Sequence, residues 1–94
     1  LEVAEGRDGF GGVRWAFDHG ETVRRPTIER IKALGGGIAM QARMAYAGEY
    51  FLERYGEEAT RNAPPLRDVI EAGVPLGLGT DATRVASYNP WLAL

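Results

Sequence analysis

Two residues of this sequence combine a chemically useful side chain with a position at the end of an apolar segment. Asp81 follows the run VPLGLGT, and His19, the only histidine of the chain, ends the run VRWAFDH. Active sites of α/β enzymes form at the carboxyl ends of buried parallel strands. If both runs are such strands, the chain places one imidazole and one carboxylate where chemistry is usually done.

The residues around these two side chains allow more than one role. Small residues precede Asp81, so a metal, a water and a substrate could approach its carboxylate, which can bind a metal and accept a proton. His19 could bind a metal or shuttle a proton. The alternatives are that Asp81 caps the next segment and that His19 is an ordinary hydrogen-bonded residue at a strand end. One histidine does not complete a catalytic zinc site, which takes three protein ligands.

The elements that must position these residues alternate between strand and helix. Pro26 suits the first turn of a helix on which Ile28, Ile31 and Leu34 share a face, and glycines at 35–37 end it. Residues 38–42 are apolar enough for a second buried strand, although periodicity alone does not exclude the start of a helix. The following segment, 43–63, is longer than a simple crossover. It predicts a helix over the strand ends with one apolar face, formed by Met44, Ala47, Phe51, Leu52 and Tyr55.

A second crossover helix precedes the strand that leads to Asp81. Pro64 and Pro65 open it, and Gly73 is placed to cap its C-terminus. Its apolar face is predicted to contain Leu66, Val69 and Ile70. The pattern therefore predicts an α/β fold with about three parallel strands and covering helices. Because closed architectures of this type usually need about 200 residues or more, we expect residues 1–94 to be a single partial domain without an internal boundary.

Composition excludes several classes of function. The net charge is −2 with both signs scattered along the chain, so neither nucleic acid nor a membrane surface is an expected partner. The absence of cysteine excludes disulfides and thiol nucleophiles and agrees with a cytoplasmic location.

Gly77, Gly79 and Ala82 spell G-x-G-x-x-A, the outline of a dinucleotide-binding turn. The glycines lie within the apolar run, however, and Asp81 would repel a pyrophosphate.

Four motifs follow one another in a specific order. They are FDHGE, GIAMQA, PPLRDVIEAGVPLGLGTDA and NPW. In this order the chain resembles the C-terminal half of metal-dependent amidohydrolases, especially those related to amidohydrolase family 3. Those enzymes are TIM barrels, so the resemblance implies a fragment of a (β/α)8 barrel that covers about the sixth to the eighth strand.

The resemblance also implies roles for individual residues. In that family the sixth strand ends in a histidine that binds metal, and the eighth ends in an aspartate that binds metal and moves protons. His19 and Asp81 stand at these positions, which makes Asp81 the implied catalytic residue. Gln41 matches a glutamine near the end of the seventh strand, and Asp18 stands where the family often has glutamate. The family's His-x-His pair of the first strand is absent and is expected upstream of Leu1.

By this resemblance the intact protein would hydrolyse a C–N amide-type bond of a small molecule with water activated by zinc or another divalent metal. The sequence does not choose among amides, formamides, ureas and cyclic imides. Substrate contacts from Thr83, Arg84 and Ser87 stay open, since many relatives carry a proline near that point. The competing hypothesis is that the isolated chain binds no metal, is inactive and self-associates through its sheet edges as a homo-oligomer.

Overall fold

Strands and helices alternate along the part of the chain that the computed structural model describes, residues 12–82 and 88–92. The strands are β1 (Ala16–Phe17), β2 (Gly37–Gln41) and β3 (Leu76–Gly79). The helices are α1 (Arg25–Ala33), α2 (Met44–Tyr55), α3 (Glu57–Arg61) and α4 (Leu66–Ala72), and a short 3₁₀ turn spans Pro90–Leu92. No helix in these ranges is long and apolar enough to span a membrane.

The three strands form one parallel sheet in the order β1-β2-β3. Ala16 pairs with Gly37, and β2 pairs with β3 from Ile38 opposite Leu76 to Gln41 opposite Gly79. All three carboxyl ends therefore lie at one edge of the sheet. This arrangement confirms the predicted α/β class and is consistent with part of a (β/α)8 barrel.

Helices α1 and α4 cover one face of the sheet and build the core there. Ile28 of α1, Val69 of α4, and Ile38 and Met40 of β2 are each at most 1% exposed. Ile31, Ala72 and Val74 complete this buried cluster. Gly73 ends α4 in the left-handed conformation, with φ 70°, as the sequence predicts.

Three predictions about burial are wrong. Ile70 is 65% exposed, because Val69 and Ala72 of α4 face the sheet and the residue next to Val69 is rotated about 100° around the helix. The others concern β1 and β3, which their apolar runs predict as buried. Both residues of β1 are exposed, and Leu78 of β3 is 42% exposed. Leu78 pairs with Met40 and so lies on the helix-covered face, but β3 has no second neighbouring strand among the described residues.

Polar contacts fasten α1 to α4 at the surface. The Arg25 guanidinium lies 3.6 Å from Asp68 Oδ1 and 3.5 Å from Glu71 Oε2, and Lys32 Nζ donates to the carbonyl oxygen of Ala72. A hydrogen bond from Arg67 is the main cause that lowers the pKa of Glu71 below its ordinary value. These side chains are exposed, so the contacts orient the helices more than they stabilise them.

Gly36 is required where the loop before β2 passes Trp15. A Cβ at this position would lie 2.3 Å from Trp15 Cη2 and 2.5 Å from Cζ2, too close for any real contact. We expect Gly36→Ala to lower the free energy of unfolding by about 1–3 kcal/mol, since the indole ring must move. Urea denaturation followed by circular dichroism measures this loss.

Gly48, inside α2, supplies the matched control. A Cβ there meets no atom within 4 Å, so Gly48→Ala should raise the free energy of unfolding by about 0.5–1 kcal/mol through helix propensity. Equal midpoints and slopes of the urea denaturation curves for Gly36→Ala and the unaltered chain would contradict the prediction. They would show that the Trp15 ring moves without a loss of stability.

Candidate functional site

His19 lies in a tight turn directly after β1. Its backbone N–H donates to Asp18 Oδ1 at 3.1 Å, and its carbonyl oxygen accepts from the N–H of Glu21 at 2.8 Å. The N–H of Gly20 donates to the carbonyl oxygen of Ala39 at 3.4 Å and ties the turn to β2. These bonds bring the His19 side chain, which is half exposed, to the carboxyl edge of the sheet.

Gly20 allows this close approach of the turn to β2. It is buried, and a Cβ there would lie 2.6 Å from Ile38 Cγ2 and 3.2 Å from Met40 Cε. Any larger residue would push the turn away from the strand. The glycine after His19 therefore positions the imidazole through backbone packing.

Gln41, the last residue of β2, faces the His19 ring. Its Nε2 lies 3.3 Å from His19 Nε2, so the amide donates and the imidazole accepts in this arrangement. A neutral ring then carries its proton on Nδ1. Gln41 is 9% exposed, which makes it a well-held partner for the exposed imidazole.

Glu21 approaches the other nitrogen of the same ring. Its Oε1 lies 3.7 Å from His19 Nδ1, and its side chain is only 15% exposed. The sequence indicates no catalytic role for Glu21 and leaves open whether it supports a neighbouring ligand or is a solvated charge. Its spacing of two residues from His19 is the only signal in the sequence, and it becomes informative once the turn at Gly20 is known.

Two buried oxygens beside His19 lack a hydrogen-bond partner among the described residues. They are Glu21 Oε1 and Gln41 Oε1. Because buried polar atoms are almost always satisfied, this corner of the molecule has capacity to accept a donor or a cation. The imidazole lies between the two side chains that carry these oxygens.

Asp81 lies two residues beyond the end of β3, at the same edge of the sheet. It is exposed, and the preceding Thr80 accepts a hydrogen bond at Oγ1 from the N–H of Ala82 at 3.2 Å. The prediction that Asp81 caps the next segment concerns residues 83–87, which lie outside the described residues. Since β2 separates β1 from β3 and neighbouring strands lie about 4.8 Å apart, the strands that lead to His19 and Asp81 are about 10 Å apart.

His19 and Asp81 share an uncommon backbone conformation. Their φ angles are 60° and 52°, and they are the two non-glycine residues with positive φ in the described ranges. Residues other than glycine rarely adopt this region, and those that do cluster at functional sites. The two residues predicted to do chemistry are thus also the two non-glycine residues with positive φ in the described ranges.

The chain was also compared with known proteins. All 94 residues match the profile of a protein family described as the Amidohydrolase family. The chain belongs to this family. No curated protein and no solved structure matches it significantly. Membership agrees with a chain whose polar candidates gather at the carboxyl edge of a parallel sheet.

Amidohydrolases are generally metal-dependent, so the donor set of this chain matters. An imidazole and a carboxylate are suitable ligands for a divalent cation. The two buried oxygens beside His19 that lack a hydrogen-bond partner also favour a bound cation. However, residues 12–82 and 88–92 contain no group of three or more His, Cys, Asp or Glu side chains that could hold a metal. The described residues therefore fit as part of a metal site and do not complete one.

Four aromatic or methionine side chains that could line a pocket, although such residues are more often core, are spread over the amidohydrolase chain. Trp15 packs partly against the core, and Met44 lines a groove along α2. Tyr46 and Trp91 are 56% and 76% exposed. The three remaining candidates, Thr83, Arg84 and Ser87, lie outside the described residues.

Proposed function

We propose that this chain contributes His19 and Asp81 to the active site of a metal-dependent hydrolase that cleaves a C–N amide-type bond of a small molecule. The observation that supports this most is their shared placement. Both follow strands of one parallel sheet, at its carboxyl edge and with positive φ, in a chain of the amidohydrolase family. In this proposal β1, β2 and β3 are about the sixth to the eighth strand of the barrel.

His19 acts in this proposal as a metal ligand held by its neighbours. Gln41 and Glu21 lie at opposite nitrogens of the ring, 3.3 Å and 3.7 Å away, and limit its rotation. Ligand histidines are commonly oriented by such partners. Because the Gln41 amide occupies Nε2, a metal at that nitrogen would require Gln41 to turn away.

Asp81 carries the proton in the proposed reaction. Zinc or another divalent cation, when bound, supplies a water of lowered pKa and a Lewis acid for the carbonyl. The Asp81 carboxylate accepts a proton from the attacking water and donates it to the leaving nitrogen. One C–O bond forms, the C–N bond breaks, and an acid and an amine are released.

The test is an assay of the protein expressed from its full gene. Small amides, formamides, ureas and cyclic imides are offered, and the released amine or ammonia is measured. We expect hydrolysis of at least one class, lost on chelation and restored by zinc or another divalent cation. Hydrolysis that survives complete chelation would contradict the proposal, as would the lack of a His-x-His pair encoded before Leu1.

Zinc binding by the 94-residue chain alone is predicted to be weak. Two ligands of the proposed site lie in the described residues, whereas a catalytic zinc takes three protein ligands. After dialysis against micromolar zinc, atomic absorption should find well below one zinc per chain. A stoichiometric ion would show that the chain completes a site by itself.

A second candidate role, for the isolated chain, is self-association without catalysis. Phe17 and Leu78 are each 42% exposed on strands of the sheet, and neither β1 nor β3 has an outer neighbour among the described residues. Uncovered edges of this type favour pairing with a second copy. Sedimentation velocity should detect dimers or larger species at micromolar concentration; a monomer throughout would contradict this role.

The cytoplasmic location and the absence of nucleic-acid and membrane partners stay predictions.

A further inference from the structure

A groove runs along α2 beside the turn that follows His19. Its volume is about 290 Å³, just below the range of about 300–1,000 Å³ for small-molecule pockets. It is lined by the turn residues Glu21 and Thr22 and by one side of α2. A single ring with a short arm fits within this volume.

Most of the α2 residues that line the groove are aromatic or apolar. Phe51 and Tyr55 pack with ring centroids 4.6 Å apart, and Tyr50 and Met44 extend the same surface. No residue of α2 is buried, although it was predicted to place an apolar face over the strand ends. Tyr50 and Tyr55 are 76% and 55% exposed, so their rings are available to a ligand.

Two guanidinium groups give the groove its charge. Arg43 and Arg54 both line it, and no ion pair between described residues includes either of them. They are eleven residues apart, which places them on one face of the helix about 16 Å apart. The one carboxylate in the lining, Glu21, has its Oε1 buried and turned toward His19.

Arg54 is the better placed of the two for an anion beside the rings. Its guanidinium carbon lies 5.4 Å from the centroid of the Tyr55 ring. A guanidinium that contacts a ring through its face keeps N–H donors at its edge, where they can bind a carboxylate in bidentate fashion. The groove therefore presents the Tyr55 ring and the Arg54 charge next to each other.

We propose that this groove binds the aromatic, carboxylate-bearing part of the substrate, with the ring against Phe51 and Tyr55 and the carboxylate at Arg54. Glu21 belongs both to the groove and to the surroundings of His19, which connects the bound group to the site. That the ligand is a substrate rests on the proposed function. That an aromatic carboxylate binds here does not, so the two can fail separately.

The experiment titrates the 94-residue chain with phenylacetate and, separately, with its neutral isostere phenylacetamide. Binding is followed by the amide chemical shifts of residues 43–55 and needs neither metal nor catalysis. We expect phenylacetate to bind about three- to fivefold more tightly than phenylacetamide, as one exposed charge pair allows. Equal affinity, or shifts confined to other residues, would overturn the proposal.

Three variants locate the carboxylate. Arg54→Gln should remove the preference for phenylacetate, whereas Arg43→Gln, at the other end of the groove, should reduce it less. Arg67→Gln is the matched control, because Arg67 is exposed on α4 and pairs with Glu71 outside the groove. A preference that survives Arg54→Gln, or that is lost equally with Arg67→Gln, would contradict the assignment.

Binding and hydrolysis can fail separately. If the chain binds phenylacetate but the full-gene protein hydrolyses nothing, only the proposed function is refuted.

Discussion

Replacing Asp81 with asparagine is expected to lower kcat/KM of the protein expressed from its full gene by about 10²–10⁴-fold, the usual contribution of a general base. The amide is close in size to the carboxylate but cannot accept the proton of the attacking water. The fold should persist, because Asp81 is exposed with φ 52° and asparagine tolerates this left-handed conformation well. Steady-state kinetics and circular dichroism of the purified variant measure the two quantities.

Asp68→Asn is the matched control for this loss. Asp68 lies on α4, part-exposed, and contacts Arg25 at the surface. Its replacement should leave kcat/KM within about twofold of the unaltered protein and change stability by less than about 1 kcal/mol. An Asp81→Asn protein that keeps more than a tenth of the activity would refute the proton-transfer role.

The second large effect is expected in the core. Ile28 of α1 is 0% exposed and packs in the core between its own helix, α4 and the sheet. Ile28→Ala should lower the free energy of unfolding by about 2–5 kcal/mol, because it removes buried methyl groups and leaves a cavity. Since small domains are stable by only about 5–15 kcal/mol, the variant would lose a large part of its folded population. Urea denaturation of the 94-residue chain measures the change.

Ile70→Ala is the same substitution at an exposed position. Ile70 lies on α4 at 65% exposure, so the loss should stay below about 0.5 kcal/mol. The pair separates burial from residue type. If both variants lost the same stability, the assignment of Ile28 to the core and of Ile70 to solvent would be wrong.

Much of the local structure could be predicted from the sequence because its signals are local. Pro26 lies in the first turn of α1, and Gly73 ends α4 with φ 70°. Predicted residues 38–42 compare with the observed strand Gly37–Gln41. These features depend on the conformational limits of proline and glycine, which act within a few residues. The orientation of α4 could not be obtained in this way, since Leu66, Val69 and Ile70 are equally apolar and only packing chooses among them.

For the candidate site too, some features could be predicted from the sequence and others could not. His19 and Asp81 could be proposed from the sequence, because each follows an apolar run and carries a side chain able to bind metal or protons. Their common left-handed conformation, and the approach of Glu21 to the ring, depend on turns that the pattern does not specify.

The sequence by itself determined the alternation of three strands with helices and placed His19 and Asp81 at strand ends, but the single helix predicted within 43–63 is two helices, α2 and α3. Only the tertiary structure decided the surroundings of His19. Gln41 is 22 residues away along the chain, and the parallel pairing of β1 with β2 brings its amide to the ring. Local propensity acts over a few residues, whereas a site at a sheet edge is assembled by pairing between distant segments.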